Sequence, residues 1–299
     1  MRVSAVENSV HQMLTASGHA FWTARICVKY RHGLDVIVDG LVRPVYISTA
    51  AKGLFPFHLV VSSSVLETLL DKPVGSILLL CTDKEPVRCD GVTLRMPSRL
   101  FDLHLRLGLG GVVDRVWFER RIEVFRRMLN FAARNGGLGA FEVLFSESWQ
   151  HSDAFDVTQR TPTAIASVLG CGKGSTPAGD DMLIGAASAC QAVSGVPGET
   201  GYRARTWLSF LAGSQSLFAR QTTLMSCGYL NAALDGVFGS HLIALHKAFW
   251  DIRHTSLLSA MLRVKRHGST SGLDTLAGVY LGYRFLTKSC CLQKKSANR

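Results

Sequence analysis

No stretch of this 299-residue chain gives the roughly 20 uncharged apolar residues that a membrane-spanning helix needs, although its mean hydropathy is +0.18. Membrane insertion is therefore not expected. Zinc-knuckle spacing is missing too. The eight cysteines include no C-x-x-C pair, and Cys290 and Cys291 are adjacent, so scattered thiols in a reducing compartment are the reading and no metal is assigned to them. The segment MRVSAVENSVHQML puts Glu7, Asn8 and His11 where a secretory signal would be apolar, which leads us to expect a cytoplasmic protein. Acid is scarce relative to base. Lys plus Arg number 33 against 22 Asp plus Glu, a net charge of +11 that favours anionic substrates or partners.

What is present is apolar enough to fold. Hydrophobic residues make up 47% of the chain, which excludes a mainly disordered protein. At this length roughly three quarters of the unfolded surface is buried on folding. The densest basic cluster is Arg115, Arg120, Arg121, Arg126, Arg127 and Arg134. It interleaves with Glu119 and Glu123 and with apolar residues at helical spacing. We read an amphipathic helix over 114–134 with a solvated basic face. No nucleic-acid motif accompanies it, so nucleic acid is not expected as a partner.

The first hundred residues read as short strands between turns: 21–30, 34–38, 44–48, 58–62, 76–81 and 91–96, with a helix over 4–17 in front. Closely spaced strands of this kind predict a small barrel or sandwich. Beyond 110 the apolar spacing becomes helical, at 114–134, 162–169, 177–193, 203–217, 220–234, 240–264 and 273–287. The stretch 135–159 supports no assignment. The expectation is an α+β chain, with a β-rich domain over 1–110 and a helical domain over 111–299.

The most informative segment is LGCGKGSTPAGDDMLIG at 169–185. Gly170 suits a left-handed helix end, and Gly172 and Gly174 let the backbone turn tightly and approach a ligand. Thr176 and Pro177 read as an N-cap and a first helical residue. The segment is not a Walker A loop, because Ser167 stands at the first Gly and Gly174 follows Lys173. It is not a dinucleotide fingerprint either, because Ser175 takes the last Gly position. The underlying physics remains. A glycine-rich loop entering a helix presents backbone N–H groups and a positive dipole end to an anion. Gly179–Gly185 and Gly272–Gly278 both spell G-x-D-x-L-x-G, each after a Gly-Ser-Thr, so Asp181 corresponds to Asp274. Two such helix starts could face each other across a pocket; two well-capped helices with first-turn Asp residues are the plainer reading. Asp180, Asp181 and Asp274 are the candidate catalytic carboxylates, as base, as acceptors for an amide NH2, or as ligands for Mg²⁺ bridging to phosphate. Lys173 is the compensating cation. Gly172, Gly174, Ser175, Thr176, Gly179, Thr222, Thr223, Thr270, Ser271 and Gly272 are candidate substrate-binding positions. Thr222 and Thr223 are also explained by helix capping alone. There is no G-x-S-x-G elbow, and His241 and His246, five apart, lie on different helix faces and are not assigned to a metal.

Three segments together resemble the AllH-type family, whose named member is a subunit of bacterial oxamate carbamoyltransferase. They are LGCGKGSTPAGDDMLIG at 169–185, QTTLMSCGYLNAALDGVF at 221–238 and GSTSGLDTLAGVYLG at 268–282. The family patterns are similar to L-G-x-G-P-G-L-T-P-S-G-D-D, T-T-x-x-S-x-x-x-L-x-x-A-x-x-G and G-H-T-S-G-x-D-x-L-x-G. The likeness covers the C-terminal half, with a loose echo at Phe55–Val60. It implies conversion of an oxalurate-like acid and phosphate into oxamate and carbamoyl phosphate, with partner subunits, one of them FdrA-like. Lys173 stands for the family's Pro, Ser175 for Leu, Ala178 for Ser and Ser269 for His. If that His acts in chemistry, the reaction here differs. The alternative is a non-catalytic subunit that binds a small anion or serves assembly.

Overall fold

The computed structural model describes residues 1, 3–16, 19–41, 43–81, 92–96, 99–109, 114–134, 161–251, 257–268 and 270–287. The join expected near 110, the unassigned 135–159 and the basic tail lie outside the described residues. The chain divides into two compact units. One comprises Met1–Leu105 and Thr223–Ala244, the other Arg106–Thr222 and Leu245–Arg299. A β-rich N-terminal part and a helical C-terminal part are present, as the patterning predicts.

The first unit holds one eight-stranded sheet: β1 (Val3–Glu7), β2 (Phe21–Tyr30), β3 (Gly33–Val38), β4 (Val45–Ser48), β5 (His58–Val61), β6 (Ile77–Cys81), β7 (Val92–Arg95) and β8 (Leu100–Phe101), in the order β7-β6-β2-β3-β4-β5-β1-β8. The order curls round on itself. Met1 donates its amino group to the Thr93 carbonyl at 2.8 Å and accepts the Arg95 N–H at 3.0 Å, so the approach to β1 meets β7. Alternate residues such as Leu34, Val36, Val45, Ile47, Leu59 and Val61 fill the enclosed core, as period-2 patterning requires.

The helix expected over 4–17 is a strand followed by α1 (Asn8–Ala16). Val3 and Val6 pair with β5, and the Glu7 carboxylate accepts the N–H groups of Ser9 at 3.1 Å and Val10 at 3.4 Å, which starts the helix there. The unforeseen α2 (Ser63–Asp71) begins on Ser62, whose hydroxyl accepts the Val65 N–H at 3.3 Å. Although distant in sequence, α8 (Leu224–Leu234) belongs to this unit: Ala232 and Val237 join the sheet core, and Leu105 N–H and Phe238 N–H bond across the 103–105 and 236–238 segments.

The opposite face of the sheet carries a row of polar side chains. Asp35 pairs with Tyr46 and Tyr46 with His58 across β3, β4 and β5. His58 Nδ1 accepts the Phe55 N–H, so its Nε2–H donates to Ser48 Oγ at 2.8 Å, and Ser48 in turn donates to the Thr49 carbonyl. Burial lowers the His58 pKa to about 4. The imidazole donates to this serine rather than deprotonating it, so the pair is no nucleophile–base couple.

The second unit holds α3 (Arg115–Arg134), α4 (Thr161–Val168), α5 (Ala178–Val193), α6 (Glu199–Gly213), α7 (Gln215–Gln221), α10 (Leu257–Lys265) and α11 (Ser271–Thr287). Between them in sequence, α9 (Ser240–Trp250) starts in the first unit and ends in the second. The helix expected over 240–264 is thus two helices. The cause is Arg121, which is buried rather than solvated. Its guanidinium donates to the carbonyls of Ala248, Phe249 and Asp251 at 2.9–3.0 Å and so caps the end of α9. The rest of the basic face of α3 is largely self-paired, Arg115 with Glu119 and both Arg126 and Arg127 with Glu123.

Candidate functional site

Two helix–loop–helix segments of the second unit are built alike. In the first, α4 runs through a glycine loop into α5; in the second, α10 runs into α11. A Cβ on Gly179 would overlap the Val168 carbonyl near the end of α4, and a Cβ on Gly272 would overlap the Val264 carbonyl in the last turn of α10. Cys171 N–H bonds Val168 O at 3.0 Å, as His267 N–H bonds Val264 O at 2.9 Å. Gly179 N–H then returns to Cys171 O at 2.8 Å, as Gly272 N–H returns to His267 O at 2.9 Å. The main-chain bonds of the two motifs correspond step by step, and Asp181 and Asp274 fall at the same place in each.

The second glycine of each motif lets the two helices touch. A Cβ on Gly185 would strike the Thr275 carbonyl and one on Gly278 the Met182 carbonyl. Helix α5 therefore packs backbone to backbone against α11, and the N-terminal turns of the two helices converge. Thr176 Oγ1 lies 3.0 Å from Ser271 Oγ. Thr176 does not cap α5, as expected from sequence; the cap position is Pro177, whose carbonyl takes the N–H groups of Asp180 and Asp181.

The three aspartates divide into two roles. Asp180 is fully buried and occupied: one oxygen accepts the Gly170 N–H at 2.8 Å and the other the Thr222 hydroxyl. It ties the loop to the end of α7. Asp181 and Asp274 are only 6% and 2% exposed, and Oδ2 of each has no hydrogen-bond partner among the described residues. Burial pushes the Asp181 carboxyl up to about 8. The hydroxyls of Ser271 and Thr176 oppose that rise, and the charges of Asp274 and Asp180 add to it. Burial raises Asp274 as well, against a hydrogen bond from Thr270.

The structure thus brings together Asp181, Asp274, Thr176, Thr270 and Ser271, with Gly179 and Gly272 beneath them. Cys171–Ser175, carrying Lys173, Gly172 and Gly174, is an exposed loop. Gly170, at φ +74, would drive a Cβ into the Gln221 carbonyl, and Gly172, at φ +118, into the Ala178 N–H, so no side chain fits at either. Thr223, in the first unit, is the N-cap of α8, accepting the Ser226 N–H at 3.1 Å. Ser269 lies outside the described residues. The first-turn N–H groups of Gly179, Asp180, Asp181, Gly272, Leu273 and Asp274 all end on main-chain carbonyls. An anion here would draw its donors from the Lys173 loop and the hydroxyls instead. Among the described residues no group of three or more His, Cys, Asp or Glu side chains is placed to hold a metal ion.

Sequence patterning did not single out the support beneath the crossing. Trp250 Nε1–H donates to the Tyr283 hydroxyl at 3.1 Å, and that hydroxyl donates to His246 Nδ1 at 2.6 Å. His246 Nε2–H donates to Ser188 Oγ at 2.8 Å, which donates to the Gly185 carbonyl at 2.7 Å. The chain of bonds ends on the glycine where α5 meets α11. Ser188 lies in a run of small residues, Gly185–Ala189, where nothing local marks it as polar support.

A buried carboxyl pair at two converging helix starts is the candidate site of the helical unit. Residues 168–283 match the family described as oxamate carbamoyltransferase subunit AllH. The matched span runs from the end of α4 into α11 and contains both motifs. No solved structure matches the chain.

Proposed function

We propose that this protein is a subunit of a carbamoyltransferase-like enzyme that moves a carbamoyl group between an oxalurate-like ureido acid and phosphate, giving oxamate and carbamoyl phosphate. The family match supports the reaction class, and its description as a subunit supports partner chains; an FdrA-like chain is the partner we propose. The observation that carries the site is the pairing of Asp181 with Asp274: two buried carboxyls, each with an oxygen left unsatisfied among the described residues, at equivalent positions of converging helices. Such acceptors suit the N–H groups of an amide or ureido end. Lys173, in the exposed glycine loop, suits the carboxylate or phosphate end.

The test is thermal melting of the purified chain with phosphate, carbamoyl phosphate, oxamate and oxalurate, each with and without Mg²⁺. A ligand at a hundredfold excess over Kd adds about 2.7 kcal/mol and raises the melting temperature visibly. The reading expects a shift with oxamate or oxalurate that Asp181→Asn diminishes. No shift with any ligand, for the chain alone and for the chain mixed with its FdrA-like partner, would overturn it.

A further inference from the structure

The unsatisfied oxygens bear on more than recognition. Asp180 has both oxygens engaged by donors, the Gly170 N–H and the Thr222 hydroxyl. Asp181 receives the hydroxyls of Ser271 and Thr176 and Asp274 that of Thr270, but Oδ2 of each has no hydrogen-bond partner among the described residues. The hydroxyls of Thr176 and Ser271 lie within hydrogen-bonding distance of each other, and the charges acting on Asp181 are those of Asp274 and Asp180, both negative. Two neighbouring carboxylates in a site of low dielectric cannot both stay ionised, and the usual outcome is one proton shared by the pair.

We propose that Asp181 and Asp274 form one acid–base pair that holds a single proton before and after carbamoyl transfer. The proposal rests on the functional reading above. An oxygen of hydrogenphosphate forms the new bond to the carbamoyl carbon, and its proton passes to the ionised member, Asp274. The bond from that carbon to the acid's amide nitrogen breaks. The nitrogen keeps the electron pair and takes the proton of the neutral member, Asp181. Hydrogenphosphate has lost one proton, the released oxamate has gained one, and the pair still carries one. Asp181 is the donor because burial and both neighbouring carboxylates favour its neutral form. The same economy explains how a negatively charged acid can enter: with one proton in place the pair carries one charge rather than two. An amide nitrogen is a poor leaving group without a proton, so a positioned acid is what the step requires.

The experiment is a carbon-13 NMR titration of the full-length chain with labelled aspartate, run beside oxamate binding followed by melting. The expected result is one of the two carboxyls neutral near neutral pH, losing its proton near pH 8, and a shift of that step to lower pH in Asp274→Asn. In the chain assembled with its partner subunits, Asp181→Asn should lose most of the transfer rate even at substrate concentrations high enough to offset its weakened binding. If both carboxyls are ionised at neutral pH while oxamate still binds, the shared-proton pair is overturned and the functional reading stands. If the pair shares a proton but no carbamoyl compound binds, the functional reading falls and takes the transfer step with it. The wild-type titration needs no variant, so a failure of either variant to fold leaves a decisive measurement. A Mg²⁺-induced loss of the neutral carboxyl at millimolar metal would also overturn the pair, in favour of a metal-bridged site.

Discussion

Thr176 Oγ1 and Ser271 Oγ meet at 3.0 Å, so a single side-chain hydrogen bond joins the loop before α5 to the first residue of α11. Both hydroxyls also act on the Asp181 carboxyl. The bond therefore holds the two helix starts at the place where the carboxyl pair lies, and the following predictions concern that junction and its supports.

Asp181→Asn should stabilise the protein toward alkaline pH. The folded carboxyl is raised to about 8 from an ordinary value of 3.8. Below the ordinary value both folded and unfolded chains hold the proton and there is no penalty. Between the two values only the folded chain keeps it, so stability falls as pH rises and levels off above about 8. Asparagine does not titrate, and the variant should gain on the order of a few kcal/mol relative to wild type at the alkaline end. Melting temperature against pH for both proteins checks this. A variant that melts lower at every pH would mean that Asp181 is a structural acceptor.

Asp180 should behave in the opposite way. Its two oxygens serve the Gly170 N–H and the Thr222 hydroxyl, and it is fully buried. Asp180→Ala strands both donors and should cost about 1–3 kcal/mol. Chemical denaturation of the adjacent pair of variants should therefore give shifts of opposite sign at alkaline pH.

Gly185→Ala and Gly278→Ala should each force α5 and α11 apart, because the new methyl meets a main-chain carbonyl of the other helix. A cost of about 1–3 kcal/mol or more follows, since backbone cannot step aside as a side chain can. Gly195→Ala is the control. Its Cβ would meet nothing within 4 Å and its φ is not left-handed, so it should be neutral or stabilising by up to ~1 kcal/mol through the unfolded state. Urea unfolding of the three variants distinguishes helix contact from a general intolerance of alanine.

His246 should stay neutral through the physiological range. Complete burial lowers its pKa to about 3, and its ring accepts from Tyr283 and donates to Ser188. An unfolded histidine takes its proton near 6.5, so the folded state loses stability as pH falls from about 6.5 toward 3. His58, lowered to about 4 by burial, acts in the same direction. Nitrogen-15 NMR should show both rings neutral at pH 6, with His246 protonated on Nε2. A charged ring at either site under those conditions would contradict the assigned bonds.

Much of the fold was legible because local chemistry and tertiary structure agree. The strand expected over 21–30 is Phe21–Tyr30, and the helix expected over 114–134 is Arg115–Arg134. Where they disagree, a single distant partner is responsible. Arg121 looked like part of a solvated basic face, and only the C-terminal carbonyls of α9 explain why it is buried. In the candidate site the repeat G-x-D-x-L-x-G set Asp181 opposite Asp274 by analogy of sequence, but adjacent Asp180 and Asp181 read as one unit. Their different tasks depend on Gly170 and Thr222, ten and forty-two residues away.

The sequence by itself determined that a β-rich N-terminal part precedes a helical C-terminal part, that two glycine-punctuated helix starts share one pattern, and that this pattern resembles the AllH family. Periodicity, turn residues and motif spacing are properties of neighbours along the chain, and they survive without coordinates. Tertiary structure alone decided that Thr223–Ala244 joins the strand-containing unit. It also decided that the first-turn N–H groups of both motifs are spent on carbonyls, and that Asp181 and Asp274 keep an unsatisfied oxygen while Asp180 does not. The reason is physical. Whether a buried carboxyl is a structural acceptor or a reactive group depends on how many donors surround it, and those donors come from parts of the chain that only folding brings near.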